Sequence, residues 1–568
     1  MLWRQRLVTV LFAAAGLVLA GRLIQIQWLD QPRFAARAER QRMFEETTAA
    51  RPGDIFDRHG RLLATTTQAN SLFVDPSLLE NPLDVAHQLA EPLGLNADDL
   101  MARLEQSRER RFLWIKRRLN DTEADAVRAL PLPESAWGFR PEYVRHYPQG
   151  SLAAHVLGLR DIDGRGRGGV EEWFDATLRG TNGHRRLVRD ARGYVLDVLD
   201  EAAEPAVPGA AITLTLDSVL QLFVERELDG LMEEWQPTSA CAIVIEPRTG
   251  DVLALASRPG FDPNRTAQVA ENAWVNTAIA STFEPGSTFK PGIVAWGLDQ
   301  GLIRADEEFD CERGAYRMGS RILHDHHPYG RLDIAGILVK SSNIGMAKIG
   351  ERLGNAGLHE AATRFGFGRK TGIELPGELP GLLRPLDAWT SFSTGSVPMG
   401  QEVSATPLQV LESLATLANG GRAITPHLLL ATAGRRAARN VIATQVVSES
   451  TAAWLVQTAL VGVVERGTGQ KARIDGVSVF GKSGTAQKID PATGQYSETR
   501  YVSSFACGAP AENPRAVVLV SVNEPGAGRS YYGGTVAAPA AAAILTRTLA
   551  HLDATESMTS APTDADRR

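Results

Sequence analysis

Three short motifs stand far apart in this chain and carry complementary chemical groups. They are Ser287-Thr288-Phe289-Lys290, Ser341-Ser342-Asn343 and Lys482-Ser483-Gly484-Thr485. A lone Ser-x-x-Lys is a weak signal, because it occurs by chance in long chains and usually lies on a solvated helix face. The order, spacing and flanking residues of the three motifs together predict a single site. The fold must therefore bring three remote segments together.

The first motif predicts a serine nucleophile with a lysine base. Glu284-Pro285-Gly286 indicates a turn, and a helix should start near Ser287 because Pro291 is tolerated only in a first helical turn. Lys290 then shares a helix face with Ser287. A serine hydroxyl becomes a good nucleophile when a neutral amine takes its proton, and burial or a nearby cation such as Lys482 lowers the pKa of a lysine. We expect Lys290 to be that base.

The second motif supplies a hydroxyl and an amide. Ser341 can relay protons between the lysines and a leaving group, and Asn343 can hold a substrate carbonyl or fix a lysine. Taken alone, the same residues are typical of a serine-rich helix cap. The presence of the other two motifs favours the catalytic interpretation.

The third motif follows an apolar strand candidate, Val477 to Phe480. Gly484 leaves room for a substrate backbone, so a peptide can bind as an added strand. Ser483 and Thr485, with Lys482, are predicted to receive a terminal carboxylate. A backbone N–H near Thr485 and that of Ser287 can form an oxyanion hole, each donor contributing roughly 3 kcal/mol. An ordinary hairpin turn is the alternative.

The N-terminus predicts a membrane anchor. Arg4 and Arg6 precede an apolar run from Leu7 to Gly21, which Arg22 interrupts and Leu23-Ile24-Gln25-Ile26 follows. From Leu7 to Ile26 is about 20 residues, roughly the length that spans a bilayer. The basic flank predicts a cytoplasmic tail (residues 1–6), a transmembrane anchor (residues 7–28) and an exterior location for the rest. A cleaved signal peptide is the alternative.

Bulk properties predict a multidomain globular protein. The chain has 568 residues, too many for one ordinary core, with 43% hydrophobic and 22% charged residues. A net charge of −6 argues against nucleic-acid binding. The three cysteines lack a C-x-x-C spacing and are expected to be buried or unpaired. His324-Asp325-His326-His327 lacks zincin spacing, so a structural loop beside the site is favoured over a metal site.

Alternating strand and helix patterns predict an α+β fold. Ser239–Glu246 and Asp251–Ser257 indicate a hairpin, 201–209 a linker, and the region from about 287 to 465 long helices. Further strands are expected at 502–508 and 516–523. This order predicts a layered domain with an antiparallel sheet flanked by helices at residues 211–551, a mixed domain at 29–210, and a disordered polar tail at 552–568.

The chain resembles the class B penicillin-binding proteins, which are membrane-anchored peptidoglycan D,D-transpeptidases. The likeness extends from about residue 10 to about residue 548. Beyond the three motifs, it rests on the following segments: Arg51-Pro52-Gly53, Asp57-Arg58-His59-Gly60, Arg145-His146-Tyr147-Pro148, Gly169-Val170-Glu171, Phe365-Gly366-Phe367-Gly368, Thr406-Pro407-Leu408-Gln409, Tyr531-Tyr532-Gly533-Gly534 and Ala537-Ala538-Pro539.

The resemblance implies an elongated, non-catalytic pedestal at 29–210 and a transpeptidase domain at 211–551. Ser287 would attack the D-Ala-D-Ala end of a stem peptide carried by the peptidoglycan or its lipid-linked precursor, expel D-alanine, and pass the acyl group to an amine of a neighbouring stem. β-Lactams would acylate Ser287, and neither a metal nor an organic cofactor is implied. Implied partners are a membrane glycosyltransferase of the SEDS type and divisome proteins, in a single-pass protein of the bacterial inner membrane.

Within the family, the length, the short segment after the anchor and Trp114-Ile115-Lys116-Arg117 resemble the FtsI-type division enzymes. An elongation-type transpeptidase, a hydrolytic D,D-carboxypeptidase or β-lactamase, and a non-enzymatic sensor or scaffold are the alternatives. The chain has Ala405 where many members have valine, and Ser483 where many have threonine. Ser483 keeps a hydroxyl, so the two departures affect substrate preference more than chemistry.

Overall fold

The computed structural model describes residues 2–133, 135–189, 195–267, 269–438, 444–490, 492–526 and 528–560. The chain divides into two compact units. The first comprises Met1–Pro52, Gln68–Tyr143 and Arg179–Gly209, and the second comprises Gly53–Thr67, Val144–Leu178 and Ala210–Arg568. Gly53–Thr67 and Val144–Leu178, which fall within the predicted domain at 29–210, thus belong to the second unit.

An apolar helix begins the described chain. It spans Leu2–Ile24 and continues as a π-helical turn over Gln25–Leu29. The stretch Leu2–Leu29 has a mean hydropathy of 2.2 in its most apolar window and is long and apolar enough to cross a membrane. Helical structure therefore starts within residues 1–6, which were expected to form a tail.

The first unit contains a small sheet and a helical cluster. After the helix Gln31–Arg42, the strand Met43–Thr48 pairs antiparallel with Gly183–Arg189, which pairs with Val195–Glu204. The predicted linker 201–209 is thus strand up to Glu204. The unit also contains the second half of the strand Leu62–Val74, the strand Leu113–Leu119 and most of the strand Trp137–His146. Its helices include Pro82–Leu93, Ala97–Gln106 and Asp121–Arg128.

The second unit is built on a five-stranded antiparallel sheet. Its strands lie side by side in the order Val252–Arg258, Ser239–Ile245, Ala516–Asn523, Tyr496–Ala509 and Phe480–Ile489. The predicted hairpin of the first two strands is confirmed by their pairing. The last strand in this order, Phe480–Ile489, forms an edge of the sheet and carries the third motif.

Both faces of this sheet are buried, which explains its apolar strands. Along Ser239–Ile245, residues Cys241, Ile243 and Ile245 face one core, whereas Ala240, Ala242 and Val244 face the other. This alternation follows from the two-residue period of a strand. The helices Ser218–Trp235 and Ala538–Ser560 cover the second face. Helices covering the first face include Lys290–Asp299, Ile334–Lys340, Asn343–Arg364, Pro407–Ala418 and Val461–Arg466.

One segment that carries the family resemblance forms the start of a helix. Thr406-Pro407-Leu408-Gln409 forms a capping box, in which Thr406 accepts from the Gln409 N–H and the Gln409 side chain accepts from the Thr406 N–H. Pro407 occupies the first turn, where its missing N–H costs nothing. The motif therefore starts a buried helix.

Residues from three other segments that carry the family resemblance take part in a buried network of ion pairs and hydrogen bonds. Glu171 is fully buried and pairs with Arg145 at 2.5 Å and with Arg160 at 2.7 Å. Arg145 also donates to the carbonyl of Gly53 at 2.7 Å and to Thr66 at 3.0 Å. Gly53, Arg145 and Glu171, which come from three of the shared segments, thus belong to one buried network in the second unit.

The C-terminal helix differs from the predicted tail. It continues to Ser560, so disorder from residue 552 is corrected to helix over 552–560; residues 561–568 lie outside the described residues. Hydroxyls of Thr555 and Ser557 donate to carbonyls one turn back, and Arg515 pairs with Asp553 and Glu556. These contacts stabilise a segment whose polar composition suggested a loose end.

Candidate active site

The Ser287 turn is held close to the third motif. Gly286–Thr288 forms a 3₁₀ turn, followed by the helix Lys290–Asp299 with Pro291 in its first turn, as the sequence predicted. Gly286 has φ +54°, and a Cβ there would lie 3.2 Å from the carbonyl oxygen of Thr485. The turn therefore contacts the backbone of the strand Phe480–Ile489.

The second motif is a tight junction between two helices. One helix ends at Lys340, and Ser341 follows in the left-handed region with φ 55°. Ser342 then caps the next helix, Asn343–Arg364, because its hydroxyl accepts from the Gly345 N–H at 2.9 Å. Ser342 therefore has the helix-capping role that was the alternative interpretation of this motif. Ser341, in the same junction, faces Ser287 of the first motif.

Ser341 connects the other two motifs. Its hydroxyl donates to Ser287 Oγ at 2.9 Å. It accepts from Lys482 Nζ at 3.0 Å and lies 3.3 Å from Lys290 Nζ. The three motifs therefore converge on one hydroxyl. Lys290 reaches Ser287 through Ser341 in this network.

Lys290 is held by acceptors from the second motif. Its Nζ donates to the Ser341 carbonyl at 2.8 Å, to Asn343 Oδ1 at 2.9 Å and to the Ser342 carbonyl at 3.4 Å. The Asn343 Nδ2 group donates to the His324 carbonyl at 3.2 Å. Of the two roles expected for Asn343, the geometry matches fixing a lysine.

Both lysines are almost completely excluded from solvent, with exposed fractions of 0% for Lys290 and 1% for Lys482. Burial lowers the pKa of Lys290 to about 7, and the Asp325 carboxylate opposes that shift. Burial also lowers the pKa of Lys482 well below its ordinary value, and the neighbouring Lys290 adds to the effect. A neutral amine is therefore accessible at neutral pH, as proton removal requires.

Asp325 is a site residue that the sequence did not identify. It accepts from the Ser342 hydroxyl at 2.6 Å, from the Asn343 N–H and from the Ile344 N–H at 3.1 Å. It therefore fixes the start of the helix that carries Asn343. The only sequence signal was the His-Asp-His-His run, for which a structural loop beside the site was expected.

Gly484 has a packing role in addition to the predicted one. The motif lies inside the strand Phe480–Ile489, whereas the sequence had placed it at a strand end. A Cβ at Gly484 would lie 2.5 Å from Ser504 Oγ, 2.9 Å from Thr288 Cγ2 and 3.1 Å from the Pro285 carbonyl. Glycine here lets the Ser287 turn approach the strand, which sets the distance between the first and third motifs.

The hydroxyls of Ser483 and Thr485 have partners that the sequence missed. Ser483 Oγ lies 2.8 Å from Thr468 Oγ1, and Thr485 Oγ1 accepts from the Gly533 N–H at 3.1 Å. Gly533 belongs to the Tyr-Tyr-Gly-Gly segment, whose Tyr531 ring stacks on Tyr501 with centroids 3.9 Å apart. These contacts orient both hydroxyls of the motif.

The remaining candidates are the three cysteines and the His-Asp-His-His run. Cys241, Cys311 and Cys507 are all buried and unpaired, as predicted. His326 packs edge-on against Tyr532 and His327 against Tyr329, with centroids 5.8 and 6.0 Å apart. The histidines of this run thus contact different partners at the rim of the site.

Comparison with known proteins identifies the family. Residues 240–546 match the penicillin binding protein transpeptidase domain, and residues 46–214 match the penicillin-binding protein dimerisation domain. The chain belongs to the class B penicillin-binding proteins. The α+β fold and the resemblance stated from the three motifs are thereby confirmed.

Relatives of this penicillin-binding protein span most of its length. The chain is 30% identical to the peptidoglycan D,D-transpeptidase FtsI of Escherichia coli, covering 96% of this chain and 91% of FtsI. It is 33% identical to PenA of Neisseria meningitidis over 94% of this chain and 89% of PenA. It is 33% identical to the stage V sporulation protein D of Bacillus subtilis, covering 88% of this chain and 78% of that protein.

Solved structures of penicillin-binding proteins share the fold. Penicillin binding protein 3 of Mycobacterium tuberculosis, complexed with aztreonam, matches with a TM-score of 0.69 at 28% identity, covering 89% of this chain and 97% of that chain. A peptidoglycan synthetase from Bifidobacterium adolescentis matches with a TM-score of 0.72 at 26% identity, covering 90% of this chain and 97% of that chain.

Proposed function

We propose that this protein is a serine D,D-transpeptidase that cross-links peptidoglycan stem peptides and is acylated by β-lactams at Ser287. The observation that carries the proposal is the position of the Ser341 hydroxyl, in contact with Ser287 Oγ and with both buried lysines. The relatives named D,D-transpeptidases and the aztreonam complex of a similar protein support the substrate class.

In the proposed mechanism, the two hydroxyls rotate when Lys290 is neutral, so that Ser287 donates to Ser341 and Ser341 donates to Lys290 Nζ. The Ser287 proton then passes to Ser341, whose own proton passes to Lys290. Ser287 Oγ then forms a bond to the carbonyl of the penultimate D-alanine. Lys290 returns the proton through the Ser341 hydroxyl to the departing amine of the terminal D-alanine, as the bond between that amine and the acyl carbon breaks. An acceptor amine then attacks the acyl-enzyme and gives its proton to Lys290 through Ser341. The same relay returns a proton to Ser287 Oγ as the ester bond to it breaks.

The third motif binds the peptide in this proposal. Phe480–Ile489 is an edge strand, so a peptide can add to it through backbone hydrogen bonds. Ser483, Thr485 and Lys482 receive the terminal carboxylate. The close contact of Gly286 with the Thr485 backbone supports an oxyanion site formed by the N–H groups of Ser287 and Thr485.

A fluorescent penicillin tests the proposal. The wild-type chain should give a long-lived covalent adduct, and Ser287→Ala should give none. Rapid turnover of the penicillin would instead support a hydrolase. Failure of the wild type to form any adduct, or an equal adduct on Ser287→Ala, would support a non-enzymatic scaffold.

We further propose a membrane-anchored protein, with its transpeptidase domain outside, that acts in septal wall synthesis. The helix Leu2–Leu29 and its basic residues support the anchor. The likeness to FtsI supports the division role, with elongation as the alternative. Depletion of the protein in its host tests the role: filamentous cells support division, and round cells contradict it.

A further inference from the structure

Three side chains converge outside the active site of the second unit. His59 lies in the turn between Ile55–Phe56 and Leu62–Val74, Asp217 precedes the helix Ser218–Trp235, and His551 lies in the C-terminal helix. One ligand atom from each lies within 4.8 Å of the others. The Nε2 atoms of His59 and His551 lie 3.0 and 2.8 Å from the same atom, Asp217 Oδ2.

The two oxygens of Asp217 have separate environments. Oδ1 accepts from the N–H groups of Val219 at 3.0 Å and Leu220 at 3.3 Å, and Arg61 Nη1 lies 3.6 Å away. These contacts fix the carboxylate at the start of the helix. Oδ2 faces the two imidazoles. Such an anchored carboxylate resembles a metal ligand oriented by outer hydrogen bonds.

The histidines are also held by their backbones. The His59 N–H donates to Asp57 Oδ1 at 2.9 Å, and Asp57 is itself buried and bonded to the Ser218 hydroxyl at 2.6 Å. His551 is fixed by its helix. The His59 side chain is 34% exposed whereas Asp217 is 2% exposed, so a cation can reach the buried carboxylate from solvent.

We propose that His59, Asp217 and His551 bind a Zn²⁺ ion. In a tetrahedral zinc site with bonds of about 2.0 Å, ligand atoms lie about 3.3 Å apart. The two separations from Asp217 Oδ2, 3.0 and 2.8 Å, are within about half an ångström of that value, and the ligand nitrogens of the two histidines lie within 4.8 Å of each other. Rotation of the imidazole rings would bring all three ligand atoms to zinc-binding distance. Two imidazoles and one carboxylate suit zinc, and water completes the coordination.

The proposed ion joins three segments that are remote in sequence. It links the turn at His59, the start of the helix Ser218–Trp235 and the C-terminal helix. These two helices cover the sheet face opposite the helix that carries Lys290. Because this site forms only in the folded chain, zinc binding stabilises the fold by mass action. The proposal is independent of the transpeptidase mechanism.

The test uses the full-length chain, stripped with a chelator and titrated with Zn²⁺. We expect one tightly bound zinc per chain and a rise in Tm of about 5 °C at saturation. His59→Gln and His551→Gln should each abolish both effects, because a glutamine amide can still donate to Asp217 but is a poor zinc ligand. His87→Gln, on an exposed position of the helix Pro82–Leu93, is the matched control.

Cobalt provides a second readout. Tetrahedral Co²⁺ should give visible absorption bands in the wild type and in His87→Gln, and these bands should be lost in both site variants. Absence of zinc binding to the wild type, or binding that survives both His59→Gln and His551→Gln, would overturn the proposal. Penicillin acylation measured on the same samples reports separately on Ser287 and should not depend on zinc.

Discussion

Asp325 accepts a hydrogen bond from the Ser342 hydroxyl at 2.6 Å and thereby connects the loop after the strand Arg321–His324 to the second motif. The same carboxylate accepts from the N–H groups of Asn343 and Ile344, and its charge raises the pKa of Lys290 against the effect of burial. One loop residue therefore influences both the position and the protonation of the active site.

Asp325→Asn should shift the pH dependence of penicillin acylation to lower pH. Removing the negative charge removes the interaction that raises the pKa of Lys290, so the neutral amine forms at lower pH. Stopped-flow acylation rates across a pH series measure the midpoint. Asp306→Asn, at an exposed position, is the control and should leave the midpoint unchanged. A midpoint that rises in Asp325→Asn would contradict this role.

Lys290 should control the pH profile of the wild type. Because the base must be neutral, the acylation rate should rise with pH through about 7 and then level off. Lys290→Met should reduce acylation by at least about 100-fold while circular dichroism shows a folded chain. A rate that is independent of pH in this region, or normal acylation of the variant, would rule out Lys290 as the base.

Gly484→Ala should reduce acylation because its Cβ has no room. It would lie 2.9 Å from Thr288 Cγ2 and 3.1 Å from the Pro285 carbonyl, which forces the Ser287 turn away from the strand. Gly230→Ala is the matched control: Gly230 lies in a helix, an added Cβ there would meet no atom within 4 Å, and the change should be neutral or slightly stabilising. Equal acylation rates in the two variants would show that the contact does not position Ser287.

Glu171→Gln should destabilise the second unit by about 3 kcal/mol or more, because it leaves the buried guanidinium groups of Arg145 and Arg160 without their counter-charge. Thermal unfolding followed by circular dichroism measures the effect. The neighbouring Glu172→Gln, at an exposed position, should change Tm little. A similar Tm for both variants would indicate that the network contributes little to stability.

Local sequence patterns predicted many elements correctly. Pro291 located the start of the helix after Ser287, and the two neighbouring strand patterns at 239–246 and 251–257 located the hairpin of Ser239–Ile245 and Val252–Arg258. These signals succeeded because they depend on backbone restrictions of a few neighbouring residues. For residues 552–560 the prediction of disorder was wrong, because the helix continues there and carries ion pairs with the remote residue Arg515.

The sequence alone determined which chemical groups are available: a serine, two lysines and a hydroxyl with an amide, in motifs whose order indicates the family. Only the tertiary structure decided that Ser341 joins them, that Asp325 orients Asn343, and that Gly484 sets the approach of Ser287. The lowered pKa of Lys290 also belongs to the folded state, because burial of an ammonium group arises only when remote segments close around it.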